Sequence, residues 1–409
     1  MNESLVLTDD IAAVSKIPQF KANGVACDVR GKSDGRLDLC VVHSERPCAG
    51  AGVFTLNDVQ AAPVVLTRQL LSTGNAMHGI VCNSGNANAC TGDQGLRDAE
   101  KMSFETSSKA KAPQGSFLVC STGRIGEPMP IGRIVSGIDN CVHTLSHLPD
   151  AAERASQSIL TSDTRPKGCL VSWESEGHSL SLGGFAKGAG MIEPNMATML
   201  AFLFTDVKMK QGLLQEVLSA SVRKSFNRIS IDGDMSTNDT VLLLANGASE
   251  QEISEKTPKA LEDFHDAVDG ACLDLAEKIV SDGERITKVV RLEIEGAPDD
   301  ASAEKVARSV GNSLLVKTSW YGSDPNWGRL VHAAGYARVG VQMDSIDLFY
   351  EDAPALLKGV PQVKNRERWK EVVSTERFTI RINLNLGSGC CTMLSTDLTE
   401  GYVDFNKSE

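Results

Sequence analysis

Three turns rich in Gly and Asn gather the groups best suited to chemistry: Asn83-Ser84-Gly85-Asn86-Ala87-Asn88, Ser121-Thr122-Gly123 and Gly188-Ala189-Gly190. Each follows a strand-like run, and such turns bring exposed backbone N–H groups together at strand ends, where function often collects. The third turn opens the stretch Lys187 to Leu200, KGAGMIEPNMATML, in which a Gly-rich, Pro-containing turn runs into Ala197-Thr198 and then the apolar run Met199 to Phe204. Taken singly these residues are bland. Thr198 reads as a β-branched residue starting a buried strand, Lys187 as a solvated charge at a strand end, and Glu284 as part of a polar loop after a helix.

Several chemistries are excluded by what is missing. Neither GxxxxGK(S/T) nor GxGxxG after a strand occurs, so phosphate cradling is not supported, and no GxSxG elbow signals a serine hydrolase. Eleven Cys are scattered without a CxxC pair, seven His are dispersed without HExxH, and reduced thiols with no metal site are expected. The carboxylates Asp232, Asp234, Asp239 and Asp324, with Arg329, read as structural Asp/Asn turns. Net charge is −12 and aromatic residues are 5% of the chain, which disfavours nucleic-acid phosphates, base stacking and anionic lipid. No apolar run reaches membrane-spanning length and the start lacks a basic region before an apolar core, so the expected location is cytoplasmic, with a small-molecule role.

The elements that must position these groups alternate between strands and amphipathic helices, which predicts a mixed α/β fold. Phe378 to Leu386 alternates Phe378, Ile380, Ile382, Leu384 and Leu386 with polar residues, as a strand with one core face does. Helices are predicted from about Lys259 to Val280, over Gln211 to Lys224 and roughly from Ala303 to Gly311. Apolar runs around Ile80, Leu118, Leu200 to Phe204 and Val241 to Leu244 read as buried strands. The 409 residues are two to three domains' worth of chain, but no Pro/Ser-rich linker divides them. Ala297 to Ala301 and Asp352 to Trp369 read as surface loops.

The stretch KGAGMIEPNMATML resembles the self-cleavage and nucleophile motif of the ornithine acetyltransferases, the bifunctional glutamate N-acetyltransferases of arginine biosynthesis. The likeness extends along the chain through FTLNDVQAAPV from Phe54, NSGNANACTG from Asn83, STGRIGEPMP from Ser121, SDTRPK from Ser162, FNRISIDGDMSTNDT from Phe226 and VKTSWYGSDPNWGR from Val316. It implies a layered α/β/β/α fold of self-cleaving acyltransferases, with a smaller C-terminal α/β region.

The same resemblance implies scission between Ala197 and Thr198, giving an alpha chain 1–197 and a beta chain 198–409. A hydroxyl can attack the preceding carbonyl and shift the acyl group from N to O, and hydrolysis of that ester leaves Thr198 with a free amine. Such an amine has a pKa of about 7.7–8.0 against about 10.4 for Lys, so near neutrality it serves as a built-in base. Thr122 and Gly123 align with the oxyanion-holding pair, and Thr164, Lys187, Thr198, Glu284 and Asn406 with substrate-binding positions. Charge suits Lys187 to an α-carboxylate and Glu284 to a cationic amine. The implied reaction carries acetyl from N2-acetylornithine to glutamate by a ping-pong route, with no cofactor and with acetyl-CoA as a possible donor substrate. A dimer or tetramer of cleaved heterodimers is the implied assembly.

Some positions depart from the family. Where it commonly has DGEGATK this chain has DGERITK, so Arg285 and Ile286 add bulk and charge beside Glu284, and Glu193 replaces a commonly small residue. The sequence leaves two other readings open: a self-cleaving N-terminal-nucleophile aminopeptidase or amidase, with water as acceptor, and an uncleaved binding protein for amino acids.

Overall fold

The computed structural model describes residues 4–193 and 199–407. Ala197 and Thr198, and so the expected cut, lie outside the described residues. The chain forms two compact units: one from the described residues of Met1–Ala189, Asn195–Asn227 and Met235–Ile279, the other from those of Gly190–Pro194, Arg228–Asp234 and Val280–Glu409. This spatial division falls elsewhere than the expected 197/198 cut, which is a division of the covalent chain.

In the first unit the strands lie in the order Val6–Asp9, Lys167–Ser175, His178–Lys187, Leu200–Thr205, Thr240–Ala245, Leu39–Phe54, Met77–Asn83, Phe117–Ser121, with Phe20–Val25 also beside Leu39–Phe54. The 16-residue strand Leu39–Phe54 changes partners along its length. Residues 39–43 pair with Met77–Asn83, whereas residues 49–54 pair with Thr240–Ala245, and the register shifts between His43 and Cys48.

Side-chain alternation turns the two halves into layers. Cys40, Val42, Ile80, Cys82, Leu118 and Cys120 from one half share a core with Phe185, Phe202, Phe204, Leu242 and Leu244 from the other. Each such Phe or Leu stabilises the fold by about 1.5–3 kcal/mol relative to exposure. The intervening residues Leu39, Val41, Val81, Phe117 and Val119 face the opposite way, onto helices Ala62–Ser72, Gly92–Lys109 and Ile131–His143. Helices also cover the far side. Gln215 of Gln211–Lys224 bonds both the N–H and the C=O of Gly52 at 3.0 Å, and the Phe264 ring of Pro258–Val280 lies 6.2 Å from that of Trp173. The result is helix, sheet, sheet, helix, as the resemblance implied.

The second unit is a six-stranded sheet in the order Val360–Pro361, Ala353–Leu357, Asp347–Tyr350, Arg377–Asn383, Val289–Ala297, Gly389–Thr396, with only Val289–Ala297 and Arg377–Asn383 parallel. Leu292, Ile294, Ile380 and Ile382 share its core with Val306 and Val310 of helix Asp300–Gly311, Trp320 of Leu314–Tyr321 and Leu330 of Trp327–Gly335.

The helices at Gln211–Lys224 and Pro258–Val280 match the expected ones, and the four buried apolar runs are strands. Other boundaries shifted for local reasons. The strand expected to reach Leu386 ends at Asn383, because Asn385 turns to φ 54° and takes the backbone out of extended geometry. The helix expected from Ala303 starts at Asp300, since the Asp299 carboxylate accepts from the Ser302 N–H at 2.7 Å and caps it. The loop expected over Asp352 to Trp369 is instead two strands, a short 3-10 turn and the start of helix Arg366–Val373, with Ala355, Leu356 and Trp369 buried. Its many charges lie on the outer positions of short elements, and they masked the apolar ones. Ala297, expected at a loop start, is a buried strand end.

Candidate active site

The sheet of the first unit brings the implied chemical groups to one row. Lys187, last residue of its strand, pairs with Leu200, and Leu200 pairs on its other side with Thr240. The described residue that follows Thr198 in the chain, Met199, is therefore held next to this row, where Thr240 N–H donates to the Met199 C=O at 3.2 Å.

Thr122 is buried, and Lys187 donates from Nζ to Thr122 Oγ1 at 3.4 Å, which joins the expected oxyanion hydroxyl to the expected carboxylate-binding cation. Gly123 is exposed and has φ 133°. A Cβ there would stand 2.6 Å from the Asn86 backbone N, so the close approach of the two turns requires glycine.

The Asn-rich turn acts as a frame for this corner. Ser121 Oγ donates to Asn83 Oδ1 at 2.7 Å, Asn83 Nδ2 donates to the Asn86 C=O at 2.9 Å, and Thr122 N–H donates to the Asn83 C=O at 3.0 Å. Asn238 ties the two turns from a third side, donating to the Ala87 C=O at 2.6 Å and the Ser121 C=O at 2.8 Å. Buried amides fully used in this way rigidify a site, because breaking one would leave a desolvated polar group.

Lys187 is 2% exposed and sits in the field of Asp163. The Asp163 carboxylate is fully buried, accepts from Lys167 Nζ at 2.6 Å and from the Gly188 N–H at 2.7 Å, and faces Lys187 as a second cation. Burial pushes this carboxyl up, but the Lys187 and Lys167 charges with the Gly188 N–H outweigh it and hold it well below the usual carboxylate range. Both lysines are thus kept buried beside a full negative charge. Sequence reading quoted SDTRPK yet passed over Asp163 and Lys167; their spacing of four was visible, whereas the meeting with Lys187 depends on strand pairing. Thr164, next in the chain, is exposed.

In the second unit, Glu284 has its carboxylate against Gly190, whose missing side chain makes room: a Cβ there would be 2.8 Å from Glu284 Oε2. Arg285 takes φ 54°, a left-handed conformation costly for Arg. Two contacts to the last helix, Glu400–Asn406, offset it: Thr399, which caps that helix, donates from Oγ1 to the Arg285 C=O at 2.7 Å, and the Arg285 guanidinium lies 5.4 Å from the centre of the Phe405 ring. Asn406 is exposed and its amide donates back to the Tyr402 C=O at 2.8 Å. Glu193 accepts from Arg308 Nη1 at 3.3 Å and Asn312 Nδ2 at 2.7 Å, so the carboxylate has a cation and an amide as partners.

The aspartates read as turn residues do serve turns. Asp232 accepts from the N–H groups of Met191 at 2.6 Å, Ile192 at 2.8 Å and Asp234 at 3.2 Å, and from the Tyr402 hydroxyl at 3.2 Å. Asp324 accepts from Asn326 Nδ2 at 3.0 Å, and Arg329 Nη1 donates to the Leu315 C=O at 2.6 Å. Asp239 differs from them, with its carboxyl fully buried and bonded to the Met199 N–H at 3.0 Å. All eleven cysteines are free, and among the described residues no cluster of His, Cys, Asp and Glu is arranged to hold a metal and no helix is long and apolar enough to cross a membrane.

Facing sheet layers flanked by helices define a mixed α/β fold, with the Thr122 hydroxyl and Lys187 gathered at strand ends. A profile described as the ArgJ family matches residues 21–408. The arginine biosynthesis bifunctional protein ArgJ of Geobacter sulfurreducens is 41% identical over 376 residues, covering 92% of this chain and 95% of its own, and that of Thermotoga neapolitana is 41% identical over 393 residues, covering 95% and 97%. A crystal structure of the bifunctional protein argJ from Bacillus halodurans, 37% identical, aligns with a TM-score of 0.50 and covers 52% of this chain and 100% of that one. The chain belongs to the ArgJ family, acyltransferases of arginine biosynthesis.

Proposed function

We propose that this protein carries acetyl from N2-acetylornithine to glutamate through an acetylated Thr198, releasing ornithine and N-acetylglutamate, and that it also acetylates glutamate from acetyl-CoA. The observation that carries this reading is the pairing of Lys187 with Thr122 beside the row that leads to Met199, in a chain of this family.

Self-cleavage comes first. Thr198 Oγ attacks the Ala197 carbonyl carbon, the C–N bond breaks, and the nitrogen leaves as the Thr198 amine. Water then hydrolyses the Ala197 ester, giving a carboxylate and restoring the hydroxyl. One observation supports a two-chain product: residues 198–409 are 212 of 409, the same 52% share of this chain that the solved Bacillus halodurans chain covers while being wholly spanned itself.

In the transfer, the Thr198 amine takes the Oγ proton as Oγ attacks the acetyl carbonyl. Thr122 and Gly123 donate to the oxyanion, and the proton passes to the departing ornithine nitrogen. Glutamate then attacks the acetyl ester by the reverse path. Lys187 holds an α-carboxylate, Glu284 the cationic side-chain amine of ornithine, and Thr164 and Asn406 complete the contacts. The two chains stay together as a heterodimer, doubled or quadrupled, in the cytoplasm.

Thr198→Ala tests the whole reading. It is expected to run as one band near 43.7 kDa on an SDS gel and to release no ornithine, while the parent gives two bands of nearly equal size. Ornithine release by the variant would overturn the assignment.

A further inference from the structure

Asp239 precedes the strand Thr240–Ala245 and has no place in the chemistry described above. It is wholly buried, and its Oδ1 accepts from the Met199 N–H at 3.0 Å. That N–H belongs to the peptide bond joining Met199 to Thr198, so the carboxyl grips the planar unit that begins at the nucleophile's own Cα. The same segment holds Met199 from its other side, through the Thr240 N–H on the Met199 C=O at 3.2 Å. Asp239 is fixed in turn, since its C=O accepts from the Thr55 N–H at 3.0 Å. Among the described residues its second oxygen, Oδ2, is buried without a hydrogen-bond partner.

An ionised carboxylate in that setting would bury a charge with half its acceptor capacity unused. Burial pushes the Asp239 carboxyl well above its usual range, and the Met199 N–H, the Lys187 charge, the Ser236 backbone and the Thr55 hydroxyl offset this only in part.

We propose that Asp239, through its bond to the Met199 N–H, is the positioning residue for Thr198 in self-cleavage and afterwards in acetyl transfer. The inference rests on the nucleophile reading given above. Its logic is that the N–O shift needs Oγ aligned on the carbonyl behind it, and later the free amine must face Oγ. A misplacement of about 1 Å costs such steps about 100-fold. After the cut, the clamp holds Met199, one residue from the new chain end, beside Leu200, which pairs with Lys187.

An asparagine keeps an oxygen that can accept from the Met199 N–H, whereas alanine removes it. Purified full-length Asp239→Asn and Asp239→Ala are compared with the parent by time-resolved SDS gels, thermal unfolding and steady-state kinetics of the cleaved protein. Asp239→Asn is expected to cleave within about threefold of the parent rate, and folded Asp239→Ala about 100-fold more slowly. The cleaved fraction of Asp239→Ala should show a reduced kcat with KM unchanged, a split that a loss of general stability would not produce. Parent-like cleavage by folded Asp239→Ala, or an Asp239→Asn as slow as Asp239→Ala, overturns the proposal. Should Asp239→Ala not fold, Asp239→Asn decides alone: cleavage near the parent rate supports the clamp on Met199, and its loss overturns it. A parent that stays a single band refutes self-cleavage itself, and the kcat effect of the two variants then still tests the positioning role.

Discussion

The ionic groups around the candidate chemistry of the first unit are buried, whereas Arg285 and Asn406, beside and at positions assigned to recognition in the second, are exposed, although that unit buries Lys317 and Asp397 elsewhere. Lys187 and Lys167 are 2% and 1% exposed and share the sealed Asp163 carboxylate, while Arg285 and Asn406 lie in solvent on a loop and a terminal helix. A buried charge set works only in one geometry, because any displacement leaves a desolvated ion unpaired. An exposed contact can shift and be rehydrated at little cost. The chemistry assigned to Thr122, Gly123 and Lys187 therefore stands on a rigid frame, and the part of recognition assigned to Glu284 and Asn406 stands on a half-buried loop and an exposed helix end.

Substitutions on the two sides measure that contrast. The largest effect is expected at Thr122→Ala, which removes an oxyanion donor: kcat should fall about 100- to 1000-fold in an ornithine-release assay. A loss under tenfold would mean that the oxyanion is held elsewhere.

Next is Asp163→Asn, expected to lower stability at neutral pH by about 3–5 kcal/mol in urea unfolding, because two buried lysines then face each other without their counterion. The pH dependence has a definite sign. A carboxyl whose folded pKa is depressed stabilises the fold above the unfolded value of about 3.9, and the contribution is lost as pH falls through the folded value. The gap between parent and variant should be full at neutral pH and close only in strong acid. A gap that closes on the alkaline side of pH 3.9 would show that Asp163 is not held ionised.

The smallest effect belongs to Arg285→Gly. The exposed guanidinium–ring contact is worth about 0.5–1 kcal/mol, and release of the left-handed backbone compensates, so thermal stability should change little. KM for N-acetylornithine should shift about two- to fivefold with kcat constant. A kcat drop comparable to that of Thr122→Ala would erase the distinction between the two units.

Legibility in the sequence follows the range of the interactions. Gln211–Lys224 and the strands around Ile80, Leu118, Leu200 and Val241 were readable because periodicity is local. Asp352 to Trp369 was misread because charge density hid Ala355, Leu356 and Trp369, whose burial comes from strands and helices distant in sequence. At the site, Thr122, Gly123 and Lys187 were found through their motif blocks, but Asp163 and Lys167 were not. Asp239 was seen only as a turn residue. What makes it more is a bond to Met199, forty residues away.

The sequence by itself determined the alternating elements of an α/β core, which follow from residue types and short spacings that the chain carries whether folded or not. Its motif blocks, through their resemblance to a family, set the expectation of acyl transfer by a hydroxyl nucleophile. Only the tertiary structure decided that Lys187 meets Thr122 and Asp163, that Leu200 lies between Lys187 and Thr240, and that buried Asp239 holds the Met199 N–H. These depend on strand order and on burial, which bring together groups far apart in the chain and take them out of water.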